Sequence, residues 1–432
     1  MRKYIQNKGI TLVSLIITII ILLILAGVGI GVFGGDGMVQ KAREAREQAE
    51  IDNEKEIVET SVVEAVSANR YGNIEQTELD TYVKKNAGDR QTEVIENGDT
   101  LVVEFKDSNR YYEIYDEGNV KNIEVVIDEN PGNIKVGING EELNGQDKPY
   151  EIWCIEDLVE LSENYGNYKS SYIKLCKTLN FKSKLSYSNG NKLGCSSIEE
   201  LMELLTNTSG TGFTPIADFR GNFNGQNFEI KNLYINKTGN AGLFASLSNA
   251  TIQNLTVSGK ITSTDSYAGG IAAYTSRCNF INCTNMAEVI AGDYAGGVVA
   301  VLWNSNNTDY GCLIEDCYNY GNVTSAGYTA GGIIGHARAD SSIGIVINNC
   351  ANYGNINNTN SGTNSKAGGI VGLTQNNILV KNCYNAANTL IKGNNDAGGI
   401  VGYIHANDII YNCYNLGAVE GTTVGGIARL HI

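Results

Sequence analysis

The feature that most restricts what this chain can fold into is an interleaved pair of repeats in its second half. Ala-Gly-Gly-(Ile/Val) begins at Ala268, Ala295, Ala330, Ala367 and Ala397, with variants at Ala241 and Val424. Between these lie "NCTN", "DCYN", "NCAN", "NCYN" and "NCYN", with cysteines at 283, 317, 350, 383 and 413. Asparagine stands two residues after each cysteine, at Asn285, Asn319, Asn352, Asn385 and Asn415. An apolar residue stands three before, at Phe280, Ile314, Ile347, Val380 and Ile410. A unit of about 30 residues that cannot bury its own apolar face must stack on its neighbours, which is the logic of a solenoid. The units are too short, and too rich in Gly, Asn and β-branched residues, for helix pairs. Stacked β-coils fit. Equivalent residues then fall above one another, giving aliphatic and cysteine columns inside and asparagine ladders at the turns.

The repeats resemble the GLUG motif of bacterial surface proteins, which implies a right-handed parallel β-helix. "PYEIWCIEDLVELSENY" and "GFTPIADFRGNFNGQNFEIKNLYI" are similar to the usual lead-in, so the resemblance covers residues 148–432. Two amphipathic helices are expected in that lead-in, around Ile155–Leu161 and Ile198–Leu205, as a cover for the first coil. Ser197-x-x-Glu200 supplies a capping box for the second. The chain stops at "VGGIARLHI", halfway through a repeat, and truncation is the simpler expectation.

The first third reads differently. No charged residue occurs from Ile10 to Phe33, a run long enough to cross a bilayer as a helix. Arg2, Lys3 and Lys8 precede it, which places the N-terminus in the cytoplasm and the bulk outside the cell. Val58, Val62 and Ala65 then mark the apolar stripe of an amphipathic helix. "QTELDTYVKKNAG" reads as a short helix, and "DTLVVEFK", "RYYEIYD" and "NVKNIEVVID" as an antiparallel meander.

A basic leader ending in Gly9, followed by Ile10-Thr11-Leu12-Val13 and a long aliphatic helix, resembles type IV prepilins and type II secretion pseudopilins. The resemblance implies cleavage by a prepilin peptidase between Gly9 and Ile10, with methylation of the new N-terminus. It also implies a retained helix that anchors the protein in the membrane and packs against other pilin subunits. Ser14 departs from the family pattern, which has a glutamate there to pair with a neighbour's N-terminal amine. That departure speaks against a major filament subunit and leaves a minor pilin or pseudopilin role open.

The expected organisation is therefore a prepilin leader (1–9), a transmembrane helix (10–35) and a pilin-like helix with a small antiparallel sheet (36–128). A linker (129–147), the β-helix cap and first coils (148–240) and the repeats (241–432) follow. The fold class is mainly β.

Composition narrows function mostly by exclusion. Net charge is −15, so non-specific nucleic-acid binding is not expected. The ten cysteines contain no Cys-x-x-Cys and the three histidines are scattered, so neither metal nor other cofactor is expected. Five cysteines form one column and read as buried free thiols; Cys278 and Cys312 form a shorter column and are the best disulfide candidates. The acids of the coils, Asp293, Asp309, Glu315, Asp316, Asp340, Asp396 and Asp408, share no register. No catalytic residue is assigned, and a non-enzyme is expected. Tyrosine alone shows an outward pattern. Tyr318, Tyr384 and Tyr414 directly follow ladder cysteines, and Tyr267 and Tyr294 precede Ala-Gly-Gly motifs. Such a row either contacts a ligand or stacks between coils. The resulting expectation is a membrane-anchored, pilin-like surface protein displaying a β-helical adhesion module for an extracellular glycan or protein. The alternative is an extracellular polysaccharide-active enzyme, a lyase or glycosidase, on the same scaffold.

Overall fold

A computed structural model describes residues 37–430, apart from 69–73, 98–99, 107, 109, 118–119, 128–133, 136–141, 189–190, 306–310, 341–343 and 406. Gly9, Ile10, Ser14 and the apolar segment 10–35 lie outside the described residues. The expectation of a single-pass membrane anchor is corrected here: among the described residues no helix is long and apolar enough to cross a membrane. The chain divides into two compact units, residues 1–128 and 129–432.

In the first unit, helix α1 (Gly37–Ala68) is followed by α2 (Gln76–Ala87) and by strands β1 (Thr92–Asn97), β2 (Thr100–Phe105), β3 (Arg110–Glu117) and β4 (Val120–Ile127). The strands pair in sequence order, all antiparallel. Val58, Val62 and Ala65 are buried, packing with Leu79 and Val83 of α2 and with Val103, Phe105 and Tyr112 of the sheet. β1 is the strand the sequence pattern missed.

A buried ion network ties α1 to the sheet. Glu54 is fully buried and pairs with both Arg90 and Arg110, the latter at 3.2 Å, while the Tyr112 hydroxyl donates to its other oxygen at 2.7 Å. Arg90 also stacks on the Phe105 ring at 4.7 Å. A carboxylate removed from water is tolerable only with this density of partners. Burial first, then Glu54, drives the Tyr112 hydroxyl well above the ordinary tyrosine range.

The second unit is a parallel β-solenoid of about seven turns. Each of the last four turns carries five short strands. In one turn they are Ile345–Asn348, Ala351–Asn352, Ile356–Asn358, Lys366–Gly368 and Val371–Gln375. Every strand pairs in parallel with its equivalent one turn on, so that Ile314, Ile347, Val380 and Ile410 align, as do Ala330, Ala367 and Ala397. Helices α3 (Ile155–Glu163) and α4 (Ile198–Thr206) contribute to the core of the first coils. Ser197 caps α4 by accepting from the Glu200 amide at 3.2 Å. The Glu200 carboxylate returns to Ser196, one residue earlier than a regular capping box would place it.

Two asparagine ladders hold the turns. The residue before each ladder cysteine is Asn282, Asp316, Asn349, Asn382 or Asn412, all left-handed with φ between 51° and 55°. Asn and Asp are the non-glycine residues that adopt this backbone most readily. Their side chains bond along the stack, Asn349 to Asp316 at 2.5 Å and Asn412 to Asn382 at 2.5 Å. The second ladder is internal: Asn285, Asn319, Asn352, Asn385 and Asn415 pass amide hydrogen bonds from turn to turn at 2.7–2.8 Å. Asn319 and Asn352 also donate to the carbonyls of Gly321 and Gly354, closing their own turns.

All ten cysteines are free thiols, Cys278 and Cys312 among them. Cys278 and Cys312 occupy equivalent positions on neighbouring turns, and burial pushes their thiols up to about 12 and about 11. A stack of parallel coils aims equivalent side chains the same way, which favours contact between thiols over a bridge.

Candidate functional site

Outward positions of the coils carry two aromatic features. The first is a strip containing the three tyrosines singled out by the repeat. Tyr384 stacks on Tyr414 with ring centres 5.1 Å apart and planes within 3°. The strip also recruits two tyrosines from a different repeat position, three residues after the cysteine. Tyr320 and Tyr353 stack at 4.6 Å and 2°, and Tyr353 meets Tyr384 edge-on at 5.9 Å, their hydroxyls hydrogen-bonded. The turn that has Ala351 where its neighbours have Tyr318 and Tyr384 contributes Tyr353 instead. Tyr318 aligns with Thr284 and Ala351 of the neighbouring turns and is half-buried. Tyr320, Tyr353 and Tyr414 are 49 %, 38 % and 51 % exposed, so the strip offers ring faces and hydroxyls to solvent across four turns.

The second feature is a seam formed by two columns of equivalent residues on either side of the Ala-Gly-Gly corner, in which Thr329, Asp396 and Val301 are buried. One column precedes each motif: Tyr267, Tyr294, Thr329, Lys366, Asp396. The other lies on the following strand: Tyr274, Val301, His336, Leu373, Tyr403. Side chains meet across the corner, Tyr294 on His336 at 5.6 Å, Tyr267 on Tyr274 at 6.3 Å and the Lys366 ammonium over Tyr403 at 5.4 Å. Tyr328 stacks on Tyr294 at 5.5 Å. Burial lowers the His336 imidazole to about 4, with neighbouring Arg338, His405 and Lys366 adding to the fall and a hydrogen bond to Gln375 opposing it. Its Nε2 is shielded from solvent and has no hydrogen-bond partner. Of these residues the sequence pattern marked only Tyr267 and Tyr294, because neither column repeats one residue type along its length.

The acids of the coils do not converge. Glu315 accepts from Asn348 at 2.7 Å, Asp316 belongs to the left-handed ladder, and Asp408 accepts from the Ile378 amide at 2.9 Å. Asp340 holds Trp303 and Arg338, each at 2.8 Å, and Asp396 pairs with Arg429 at 3.4 Å. Asp309 lies outside the described residues. Among the described residues no group of three or more His, Cys, Asp or Glu is arranged to hold a metal ion.

No family model matches the chain. Neither the prepilin nor the GLUG resemblance is therefore carried by one. The chain is 28 % identical over 171 residues to the immunoglobulin A1 protease of Streptococcus sanguinis. That alignment spans 39 % of this chain and only 8 % of the relative's length. Among solved structures it is similar to a Bacteroides ovatus protein provisionally named an immunoglobulin A1 protease. There the TM-score is 0.48 at 23 % identity, over 67 % of this chain and 86 % of that one. The expectation of a non-enzyme is corrected at this point, because the curated relative bears the name of a protease.

Proposed function

We propose that this chain is a surface or secreted β-helical protein serving an extracellular enzyme activity directed at protein, and that its solenoid docks the substrate through the tyrosine strip. Of the two expectations drawn from the sequence, the enzyme-bearing β-helix gains support from the protease-named relative, and pilin-borne display does not. The single observation that carries the docking role is the strip itself. Tyr320, Tyr353, Tyr384 and Tyr414 form a continuous run of ring contacts in which Tyr320, Tyr353 and Tyr414 are exposed and Tyr384 is half-buried. Tyrosine gives large contact area at low entropic cost, with a hydroxyl for orientation, which is why it is concentrated at protein interfaces.

The test uses the full chain and immunoglobulin A1 as probe, since that is the protein named for the relative. Surface plasmon resonance should detect binding, weakened at least tenfold by combined Tyr320→Ala, Tyr353→Ala and Tyr384→Ala substitutions. Incubation followed by mass spectrometry reads cleavage in the same samples. Absence of binding, or binding unchanged in the triple variant, would refute the docking role.

A further inference from the structure

We propose that the stacked pair Tyr320 and Tyr353 is a site of oxidative cross-linking. There a one-electron oxidant, a haem peroxidase supplied with hydrogen peroxide, joins the two rings by a carbon–carbon bond and ties neighbouring turns together covalently. Both residues belong to the tyrosine strip, but the inference does not depend on what docks there.

Geometry singles out this pair. Its ring centres are 4.6 Å apart and its planes within 2°, the closest and most nearly parallel of the described tyrosine pairs. Rings placed in this way present the faces of their ortho carbons to one another, which is the approach by which two phenoxyl radicals couple. The fold fixes that approach. The Tyr320 amide donates to the Asn285 carbonyl at 2.8 Å and the Tyr353 amide to the Asn319 carbonyl at 2.7 Å, equivalent bonds one turn apart. Two reacting groups held in contact need no diffusional encounter. Both phenols are exposed, and so open to an oxidant in solution.

The chemistry balances without any further reactant. Each phenol gives up one electron and one proton to become a phenoxyl radical. The Tyr353 hydroxyl is hydrogen-bonded to that of Tyr384, so an acceptor for its proton already stands beside it. The radicals join through the carbons ortho to their oxygens, and the two ring hydrogens at the junction move to the oxygens, restoring two phenols. The protein loses two hydrogen atoms in all, and one hydrogen peroxide is reduced to two waters. Tyr384 and Tyr414, 5.1 Å apart and within 3°, form a second stacked pair, and their wider separation makes it the slower site.

The experiment treats the full chain, dilute enough to favour reaction within one molecule, with a haem peroxidase and limiting hydrogen peroxide. Dityrosine fluorescence is read on the monomer recovered by size exclusion, and trypsin digestion with mass spectrometry locates the bond. Peptides 278–338 and 339–366 should be recovered as one linked species, two hydrogens lighter than their sum and joined at Tyr320 and Tyr353. Tyr320→Phe and Tyr353→Phe keep the ring and should each lower the monomer's dityrosine at least threefold. Tyr172→Phe, at an exposed tyrosine outside the strip, should leave it unchanged. In urea, which removes the stacking, the preference for this pair should vanish. Absence of the cross-link from the monomer, an equal yield at other tyrosine pairs, unchanged dityrosine in Tyr320→Phe, or the same preference in urea would each overturn the proposal.

Discussion

Gly332 lies directly against Asn352: a Cβ built on the glycine would fall 2.6 Å from the asparagine Cγ. The same relationship recurs at Gly270 with Asn285, Gly297 with Asn319 and Gly399 with Asn415, at 2.1–2.5 Å. The second glycine of Ala-Gly-Gly thus makes room for the internal asparagine ladder. The two repeats interleaved in the sequence are two halves of one packing contact. Gly332→Ala is expected to destabilise the solenoid by about 2–3 kcal/mol through forced displacement of the ladder and of the Gly369 carbonyl, 2.0 Å from the added carbon. Urea unfolding followed by far-UV circular dichroism measures it.

Removing the ladder from the other side should cost at least as much. Asn352→Ala deletes the acceptor for Asn319, the donor to Asn385 and the bond to the Gly354 carbonyl. Buried polar groups stranded in this way cost roughly 1–3 kcal/mol each. The loss should appear as a lower unfolding midpoint, with hydrogen exchange accelerating first around residues 319–321 and 385–389.

Glu54→Ala in the first unit leaves Arg110 largely buried without its main partner. Breaking a buried pair from one side typically costs about 3–5 kcal/mol. Loss of stability confined to residues 37–127, detected by hydrogen exchange, is the expected outcome.

The His336 imidazole titrates at about 4 in the folded protein, against 6.5 for a free histidine. A histidine with lowered proton affinity stabilises nothing above pH 6.5, where both states are neutral. As pH falls from there toward 4, the unfolded state takes up the proton first, and this group makes stability fall. His336→Phe should therefore flatten the stability profile across that window while leaving it unchanged at pH 8, as read by thermal unfolding at each pH.

Cys317 and Cys350 are fully buried, and burial drives both thiols well above their ordinary range. Thiolate is the reactive form, so neither should be alkylated by iodoacetamide in the native protein, and both should react in denaturant. Non-reducing peptide mapping should recover Cys278 and Cys312 as separate alkylated thiols.

The solenoid was legible in the sequence because each of its determinants repeats at a fixed offset from a cysteine. Phe280, Ile314 and Ile347 read as core, and the asparagines read as ladders. Surface chemistry obeys no such rule. Tyr320 and Tyr353 occupy a position held by Met286, Ala386 and Leu416 elsewhere, so their membership of the strip shows only when neighbouring turns are stacked. Of the seam only Tyr267 and Tyr294 stood out, since its columns go on to mix Thr, Lys and Asp with Tyr, Val, His and Leu. In the first unit, Val58, Val62 and Ala65 announced themselves by helical spacing. Glu54 did not, because it stands among Glu50, Glu56 and Glu59 and looks like one more solvated acid.

The docking role of the tyrosine strip is tested most directly by hydrogen–deuterium exchange of the full chain with and without immunoglobulin A1, the proposed ligand. Protection should concentrate on residues 318–320, 351–353, 384–386 and 414–416, with little change along the seam. Unchanged exchange at the strip, or protection confined to another face, would contradict the account.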